Sequence, residues 1–350
     1  PTATFNAISP VLSRQRQLAR LLHLSAVQQH LSGDDGNAVG KLRDLLAMSD
    51  ALSGQGTIIA FLAGTACAGL CSNAIEETAA TLALRAETAP SKHTADRSEV
   101  QAVITGLLDK PTAKGPLKNA MFWERMYQLD MLQQIVQGKT TVSAWLGLGP
   151  AAAAASIRDA TWNYLSAPLM QLDALSMLRR SSLLATAAEK PSWAEVRAVS
   201  PEVTPDRSAL DALIHPFSRI MYPSLDRSLL NHFRALARRR MAAVALAIRL
   251  YQVDHGERPV TLSELLPDYL PSVPEDPFSP NRSMIGYAPG ARLAILYSVG
   301  PDGVDDGGTY EFARGGIDPS RLDMPFFLDG YRPTKPEDIV PGAQSSVQAG

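Results

Sequence analysis

Cysteine is almost absent from this chain of 350 residues, which has only Cys67 and Cys71. Two cysteines cannot form the several cross-links of a small disulfide-rich domain, so that class is excluded. Their four-residue spacing places both thiols on one helix face, but a single pair does not supply the four ligands of a structural zinc site. Free cysteine is among the most buried residue types. We therefore expect both to be small buried side chains.

The chain also lacks an excess of charge of either sign. Lys and Arg number 33 against 35 Asp and Glu, which gives a formal net charge of −2 and a pI near 6.4. Surfaces that bind nucleic acid are normally basic, so we expect no nucleic-acid partner. Only 19% of the residues are charged and 6% aromatic, whereas 45% are hydrophobic. This composition suffices for a sizeable core and, with abundant Ala and Leu, favours closely packed helices.

No apolar run is long enough to cross a bilayer without interruption. Residues 51–75 carry no charged side chain, but the stretch 53–56, Ser-Gly-Gln-Gly, interrupts them. The strongly apolar part, 57–71, is shorter than the roughly 20 residues that a membrane-spanning helix needs. The pattern predicts a buried helix of a soluble fold, and a membrane span is the alternative. No secretory signal is visible, although a chain that starts at Pro1 is compatible with a removed signal peptide or membrane anchor.

Motifs of common catalytic sites are missing as well. There is no His-Glu-x-x-His zinc-peptidase pattern, no Gly-x-Ser-x-Gly nucleophile turn and no Gly-x4-Gly-Lys-Ser/Thr phosphate loop. Gly64 and Gly69 lie in an apolar helical segment rather than after a strand, which argues against dinucleotide binding. The histidines are scattered; His23 and His30 share a helix face without a neighbouring carboxylate in the sequence. We interpret both as surface or partly buried helix residues.

Residues 1–205 show helical periodicity throughout. Ser9 and Pro10 predict the start of the first helix and Gly33 its end, and further helices are predicted over 37–52 and 57–88. No repeat with the roughly 34-residue period of tetratricopeptide arrays is visible. We therefore predict short antiparallel helix pairs, with a stacked, peptide-binding superhelix as the alternative.

A long amphipathic helix starts near Leu225 and ends at Gly256, a residue that suits the position after a helix end. Within it, the run Arg238–Arg240 is interpreted as a solvated face; contact with anionic lipid or an acidic partner is the alternative. Thr261 and Glu264 then have the spacing of a capping box. Three strands are predicted after this, over Met284–Tyr287, Arg292–Ser298 and Thr309–Phe312.

The loop between the last two predicted strands contains the strongest candidate for a chemical site. Asp302, Asp305 and Asp306 fall within five residues among glycines. Calcium takes six to eight oxygen ligands, which three carboxylates and the carbonyls of Ser298 and Gly300 could supply in large part. Asp and Gly are also common turn formers, so an ordinary solvated turn is the alternative. Asp276 is interpreted as a cap of the Pro277 turn or as a distal partner of this loop.

The order of these parts resembles the C-terminal half of a type II secretion major pseudopilin. The resemblance rests on Tyr251-x4-Gly256, Leu262-x2-Leu265, Asp276-Pro277-Phe278, the aromatic strand at Tyr287 and Ser298-x-Gly300-x-Asp302-Gly303, and covers about residues 238–312. In that family the equivalent loop binds calcium, so the resemblance implies a calcium site here. The same segment also resembles the C-terminal end of uncharacterised bacterial proteins that join a helical region to such a module. About 225 preceding residues depart from the pseudopilin pattern, which argues for a reused module rather than a filament subunit.

Together these observations predict a mainly α-helical protein with a small α+β C-terminal domain. We expect an all-helical domain over 1–205, a pseudopilin-like α+β domain with a three-stranded antiparallel sheet packed on the long helix over 206–332, and a mobile tail over 333–350. The expected function is that of a non-enzymatic structural or interaction protein of the bacterial cell envelope, or of a secretion-related system, with protein partners on its helical domain. Membrane association through a removed N-terminal anchor, a cytoplasmic location, a metal-dependent enzyme with a site between the domains, and a helical adaptor stay open as alternatives.

Overall fold

The computed structural model describes residues 2–84, 93–108, 114–137, 139, 156–199, 216–290, 293–313, 316–318, 322–335 and 338. These residues contain eight α-helices and five short strands. The helices are α1 (Thr2–Leu31), α2 (Asp35–Ser53), α3 (Ile58–Thr78), α4 (Arg97–Leu108), α5 (Lys114–Val136), α6 (Ser156–Ala187), α7 (Trp193–Val199) and α8 (Pro216–His255). The strands are β1 (Gly286–Ala288), β2 (Ile295–Ser298), β3 (Glu311–Ala313), β4 (Gly316–Asp318) and β5 (Met324–Phe327). A mainly helical fold with a small antiparallel sheet confirms the predicted fold class.

Helix boundaries differ from the predicted ones at the starts of α1 and α8 and at the end of α3. Helix α1 begins at Thr2 and continues through Pro10, and α8 begins at Pro216, nine residues before Leu225. Proline removes one backbone donor, yet α1 continues through it. The helix predicted over 57–88 ends at Thr78 and gives way to a 3-10 helix over Ala79–Thr81. The mobile tail predicted from 333 lies, beyond residue 338, outside the described residues.

Helices α2 and α3 cross at very short distance because of a glycine. The hydroxyl of Ser49 donates to the carbonyl of Gly64 at 2.9 Å. A Cβ atom on Gly64 would lie 2.2 Å from the Ser53 hydroxyl and 2.6 Å from the Ser49 carbonyl. Only a residue without a side chain fits there, so this glycine has a packing role rather than a phosphate-binding one.

Helix α3 contains the apolar segment for which a membrane span was the alternative interpretation. The stretch Ile58–Thr81 is long and apolar enough to span a membrane by length and composition, and 61% of its most apolar window is buried inside the protein. Cys67 and Cys71 are 1% and 0% exposed, which confirms that they are small buried side chains. Burial raises the pKa of the Cys71 thiol to about 12, so it stays protonated and unreactive.

Helix α8 contacts both the helical part and the sheet, because it packs on α3, α4, α6, β2 and β5. Val244 and Ile248 are buried, and Tyr251 is partly buried against the same apolar cluster. That cluster has members from Leu12 in α1 to Leu328 after β5, while Met131, Leu132, Ile135 and Met177 form a second, smaller cluster between α5 and α6. The boundary expected at 205/206 falls outside the described residues, and the division into two domains stays an interpretation.

The run Arg238–Arg240 is not a solvated face, and that prediction was wrong. Arg238 donates to Glu76, Arg239 to the carbonyl of Gly106 and Arg240 to the carbonyl of Glu275. Burial lowers the pKa of each guanidinium. The sequence pattern failed because α8 is surrounded by other elements on several sides, which leaves little room for a free polar face.

The three-stranded sheet has the order β1-β2-β5, and all its pairs are antiparallel. Gly286 lies opposite Tyr297 in the first pair, and Ile295 lies opposite Phe327 in the second. The third strand is therefore Met324–Phe327 and not Thr309–Phe312. Half of the latter segment, Glu311 and Phe312, belongs to β3, which pairs with β4 in a separate two-stranded sheet. Sequence reasoning missed β5 because all four residues are buried, so the strand shows no alternation, and because it contains Pro325.

Glu76, in the last turn of α3, closes the outer edge of this sheet. Its carboxylate is 3% exposed and accepts the N–H of Phe327 at 2.9 Å. Pro325, two residues earlier, faces the same edge and has no N–H to satisfy. The same carboxylate accepts from Arg238 at 2.8 Å and from Arg332 at 3.0 Å. One buried side chain thus connects α3, α8, β5 and the segment after β5.

We predict that Gly64→Ala destabilises the protein by about 1–3 kcal/mol, because the added methyl group overpacks the crossing of α2 and α3. Gly69→Ala is the matched control, since its added Cβ on the same helix meets nothing within 4 Å. Its expected effect is a gain of up to about 1 kcal/mol from helix propensity. Urea unfolding measures both values. Equal effects of the two substitutions would contradict the close crossing.

A second prediction concerns the buried carboxylate. Glu76→Ala should cost about 3–5 kcal/mol in the free energy of unfolding, since it leaves Arg238 charged, buried and without its carboxylate. Glu77→Ala removes the same group from the next residue, whose side chain is 43% exposed and lies 3.5 Å from His23. That control should cost about 1 kcal/mol or less. Similar losses for the two variants in denaturant titrations would show that Glu76 does not hold the sheet to the helices.

Candidate functional site

The glycine-rich loop over 299–310 leaves the end of the central strand β2 and leads to β3. Its glycines adopt backbone angles that other residues avoid: φ is +73° at Gly300, +76° at Gly303, +67° at Gly307 and +83° at Gly308. At Gly300 an added Cβ would also lie 2.9 Å from the carbonyl oxygen of Leu322. The glycines therefore fix a specific loop shape, as the sequence pattern indicated.

A buried aspartate holds the start of the loop. Asp276 is 2% exposed, and its Oδ1 accepts from the Ser298 hydroxyl at 2.7 Å and from the Phe278 N–H at 2.9 Å. Its Oδ2 accepts from the Val299 N–H at 2.7 Å. Burial raises the pKa of this carboxyl. Asp276 thus caps the Pro277 turn and also binds the start of the loop, so the two roles given as alternatives occur together.

Ser298 ends β2 and the other predicted ligand residues lie in the loop, where several of their oxygens accept hydrogen bonds within its own turns. Asp302 Oδ1 accepts the N–H of Val304 at 3.2 Å, and Asp305 Oδ1 accepts the N–H of Gly307 at 3.0 Å. The Gly300 carbonyl accepts from the Gly303 N–H at 3.1 Å. The hydroxyl of Ser298 donates a hydrogen bond to Oδ1 of Asp276. These hydrogen bonds hold the turns of the loop.

Asp323 is the acidic residue of this region that sequence reasoning missed. It precedes β5, is 0% exposed, and its Oδ2 accepts the N–H of Gly308 at 2.6 Å. Burial raises its pKa to about 6, assisted by the negative charges of Asp305 and Asp306 and opposed by hydrogen bonds from the loop amides. The signal in the sequence was a single acidic residue directly before the apolar run Met324–Phe327.

A cation near these carboxylates would lower their electrostatic free energy, because Asp305 and Asp306 disfavour the charged form of Asp323. The described residues nevertheless contain no group of three or more His, Cys, Asp or Glu side chains placed to hold a metal ion. The donor types fit calcium, whereas the described positions of the side chains do not form its complete ligand shell. The calcium site therefore stays a prediction.

A second polar arrangement joins Asp35, His30 and Thr81. Asp35 Oδ1 lies 2.5 Å from His30 Nδ1, and His30 Nε2 lies 2.9 Å from the Thr81 hydroxyl. A carboxylate, an imidazole and a hydroxyl in this order also occur in enzymes in which the histidine acts as a base and activates the hydroxyl. However, the N–H of Leu82 donates to Ala79 and that of Ala83 donates to Asp35, so neither amide after Thr81 is available to stabilise an oxyanion. We interpret the arrangement as a tie between the α1–α2 turn and residues 79–83.

Two crevices lie away from the aspartate loop. One, with about 260 Å³ of empty space, is lined by Glu76, Arg249, Arg258 and Phe327 among others. The other, of about 380 Å³, is lined by residues of α2, α3 and α8, which include His232 and Arg239. Burial first, and then the positive charges of Arg239 and Arg240, lower the pKa of His232 to about 4. Among the described residues the charged neighbours of His232 are the cations Arg239 and Arg240, and not a carboxylate of the kind that orients a catalytic base.

Comparison of the chain with protein-family models, with curated proteins and with solved structures gives no match. The likeness to pseudopilins accordingly stays a resemblance carried by the residues quoted above. Any function has to be argued from the geometry of this chain itself.

We predict that His232 makes the protein acid-sensitive. Its folded-state pKa of about 4 lies below the ordinary value of 6.5, so its contribution is present above pH 6.5 and is lost as pH falls toward 4. A shift of this size corresponds to about 3 kcal/mol. His232→Leu removes the titration, so the stability of the variant relative to wild type should rise by about that amount between pH 7 and pH 4. Parallel pH–stability curves of the two proteins would contradict the assignment.

Proposed function

We propose that this protein is a non-enzymatic structural and interaction protein of the bacterial cell envelope, or of a secretion-related system, whose C-terminal module is stabilised by calcium. The observation that supports it best is the aspartate loop fixed at both ends by buried carboxylates. Asp276 binds its first residues and Asp323 binds Gly308. A loop with this much negative charge next to a small sheet is where an ion would have a structural effect.

The position of the loop supports a structural role for the ion rather than a catalytic one. Residues 300–308 follow one another along the chain, and neither of the two crevices described above is lined by any of them. A catalytic metal keeps an open coordination position facing a substrate pocket. By contrast, an ion in a contiguous loop neutralises adjacent carboxylates and stiffens a turn.

The helical part supports the interaction role through an exposed apolar patch on α5. Phe122, Trp123 and Met126 are 40%, 64% and 63% exposed. Aromatic and methionine side chains are enriched where proteins contact one another, and they contribute most of the binding energy when they become buried. The same patch favours a second candidate function, a helical adaptor in which the C-terminal module is only a stabilising cap.

Thermal unfolding with calcium, with magnesium and with chelator tests the calcium proposal. Wild type should be stabilised by calcium, by about 2.7 kcal/mol at a hundredfold excess over the dissociation constant, and less by magnesium. In Asp302→Asn/Asp305→Asn each side chain keeps an oxygen for the N–H of Val304 or Gly307 and loses only its charge. This variant should lose the calcium shift while keeping its stability in chelator.

A matched control is Asp44→Asn/Asp268→Asn, which removes two exposed carboxylates far along the chain from the loop. It should retain the full calcium shift. A wild-type protein that melts at the same temperature with calcium and with chelator would reduce the loop to an ordinary turn and remove the calcium part of the proposal.

A further inference from the structure

Helix α1 carries an exposed apolar stripe that nothing in the described structure covers. It packs on α2 and α3 through Leu12, Ala19 and Ala26, which are at most 3% exposed. On its outer side Leu21, Leu24 and Leu31 are 63%, 61% and 79% exposed. Soluble surfaces tolerate single exposed leucines, but a row along several turns of one helix marks an interaction site.

The stripe is bordered by positive charge on both sides. At about 100° per residue, the three leucines lie within roughly 80° of one another on the helix circumference. Arg14 borders this sector on one side, and Arg20, followed by Arg16, borders it on the other. All three arginines are exposed, and within the part of the chain that the structure describes none of them forms an ion pair. Between the leucines lie the uncharged Gln17 and Gln28.

Acidic side chains are missing from this face. The sequence contains no Asp or Glu before Asp34. The acidic contacts of α1 within the described residues are Asp35, 2.5 Å from His30, and Glu77, 3.5 Å from His23, and the side chains of both histidines are largely buried. The outer surface of α1 therefore combines apolar, uncharged polar and cationic side chains, with Arg14 between the leucine stripe and Val11 and Leu18, which are each 51% exposed, although the chain as a whole carries a net charge of −2.

We propose that this face of α1 docks on an anionic lipid surface. Leucines inserted at the level of the acyl chains bury the stripe, while arginine stems lie along it and carry their charges up to the lipid phosphates. A helix with leucines between flanking arginines, lying flat, has the charge pattern that such a surface requires. The proposal does not depend on the calcium loop.

Two other occupants fit the same face less well. A second copy of α1 would bring arginines against arginines, because the helix offers no acidic side chain to pair with them. A protein partner would be expected to find an aromatic anchor or a pocket, but residues 11–31 contain no Phe, Tyr or Trp, and leucine is under-represented among residues that dominate protein interfaces.

Vesicle co-sedimentation of the whole chain tests the proposal, in chelator so that calcium bridges no carboxylate to lipid. Wild type should bind vesicles that contain phosphatidylglycerol, bind pure phosphatidylcholine much more weakly, and dissociate at high salt. Arg14→Gln/Arg20→Gln should weaken binding roughly thirtyfold, the equivalent of two arginine–surface interactions. Leu21→Ser/Leu24→Ser should abolish it.

Matched controls lie elsewhere on the surface. Leu172→Ser/Leu175→Ser removes two leucines that are 49% and 52% exposed on α6, and Arg43→Gln/Arg282→Gln removes two exposed arginines. Both should bind anionic vesicles as wild type does, and all four variants should keep the wild-type circular dichroism spectrum. Equal binding to neutral vesicles, no binding to anionic ones, or equal losses in α1 variants and controls would overturn the proposal. So would a wild-type dimer that ignores vesicles and dissociates in Leu21→Ser/Leu24→Ser.

Discussion

The fold depends on one buried carboxylate, that of Glu76. Two guanidinium groups and the backbone N–H of Phe327 share its oxygens. A carboxylate removed from water is costly unless its lone pairs are filled, and here they are filled by groups from three different parts of the chain. The same contact closes the open edge of the sheet, which would otherwise present a free donor to other strands. The helical and sheet parts are therefore joined by charge as well as by the continuous apolar cluster.

Arginines elsewhere around α8 stabilise ends of structural elements rather than a solvated surface. Arg239 donates to a carbonyl in the last turn of α4, where acceptors are unsatisfied, and Arg249 donates to the carbonyl of Leu82 after the 3-10 helix. Arg258 does the same for Leu328 at the end of β5, where Asp329 also contacts it. A guanidinium group suits this role, because its several N–H donors have a fixed geometry and can bind a carbonyl and a carboxylate at the same time. This use of charge explains why a chain with few charged residues keeps several of them partly buried.

Two buried aspartates hold the candidate loop, and the role of only one of them could be predicted from the sequence. Asp276 stands next to Pro277 in a recognisable turn, so its capping role could be anticipated from the sequence. Asp323 stands far along the chain, and only the pairing of β5 with β2 brings it against Gly308. The glycines with positive φ could be predicted from the sequence, because the backbone angle that a turn requires is a local property. The distance between Asp323 and the carboxylates of the loop could not be predicted from the sequence, because it depends on where β5 lies.

The sequence by itself determined the helical class, the end of α8 before Gly256, the capping box of Thr261 and Glu264, and the strands β1 and β2 in outline. Each of these follows from periodicity, caps or turn residues among near neighbours, whose spacing is fixed by the backbone. Tertiary structure alone decided that β5 completes the sheet, that His30 meets Asp35 and Thr81, and that Arg238–Arg240 turn inward. Glu76 and Arg332 are 256 residues apart along the chain. No local pattern specifies such a pair, because the distance between its members is set only when the elements between them have packed.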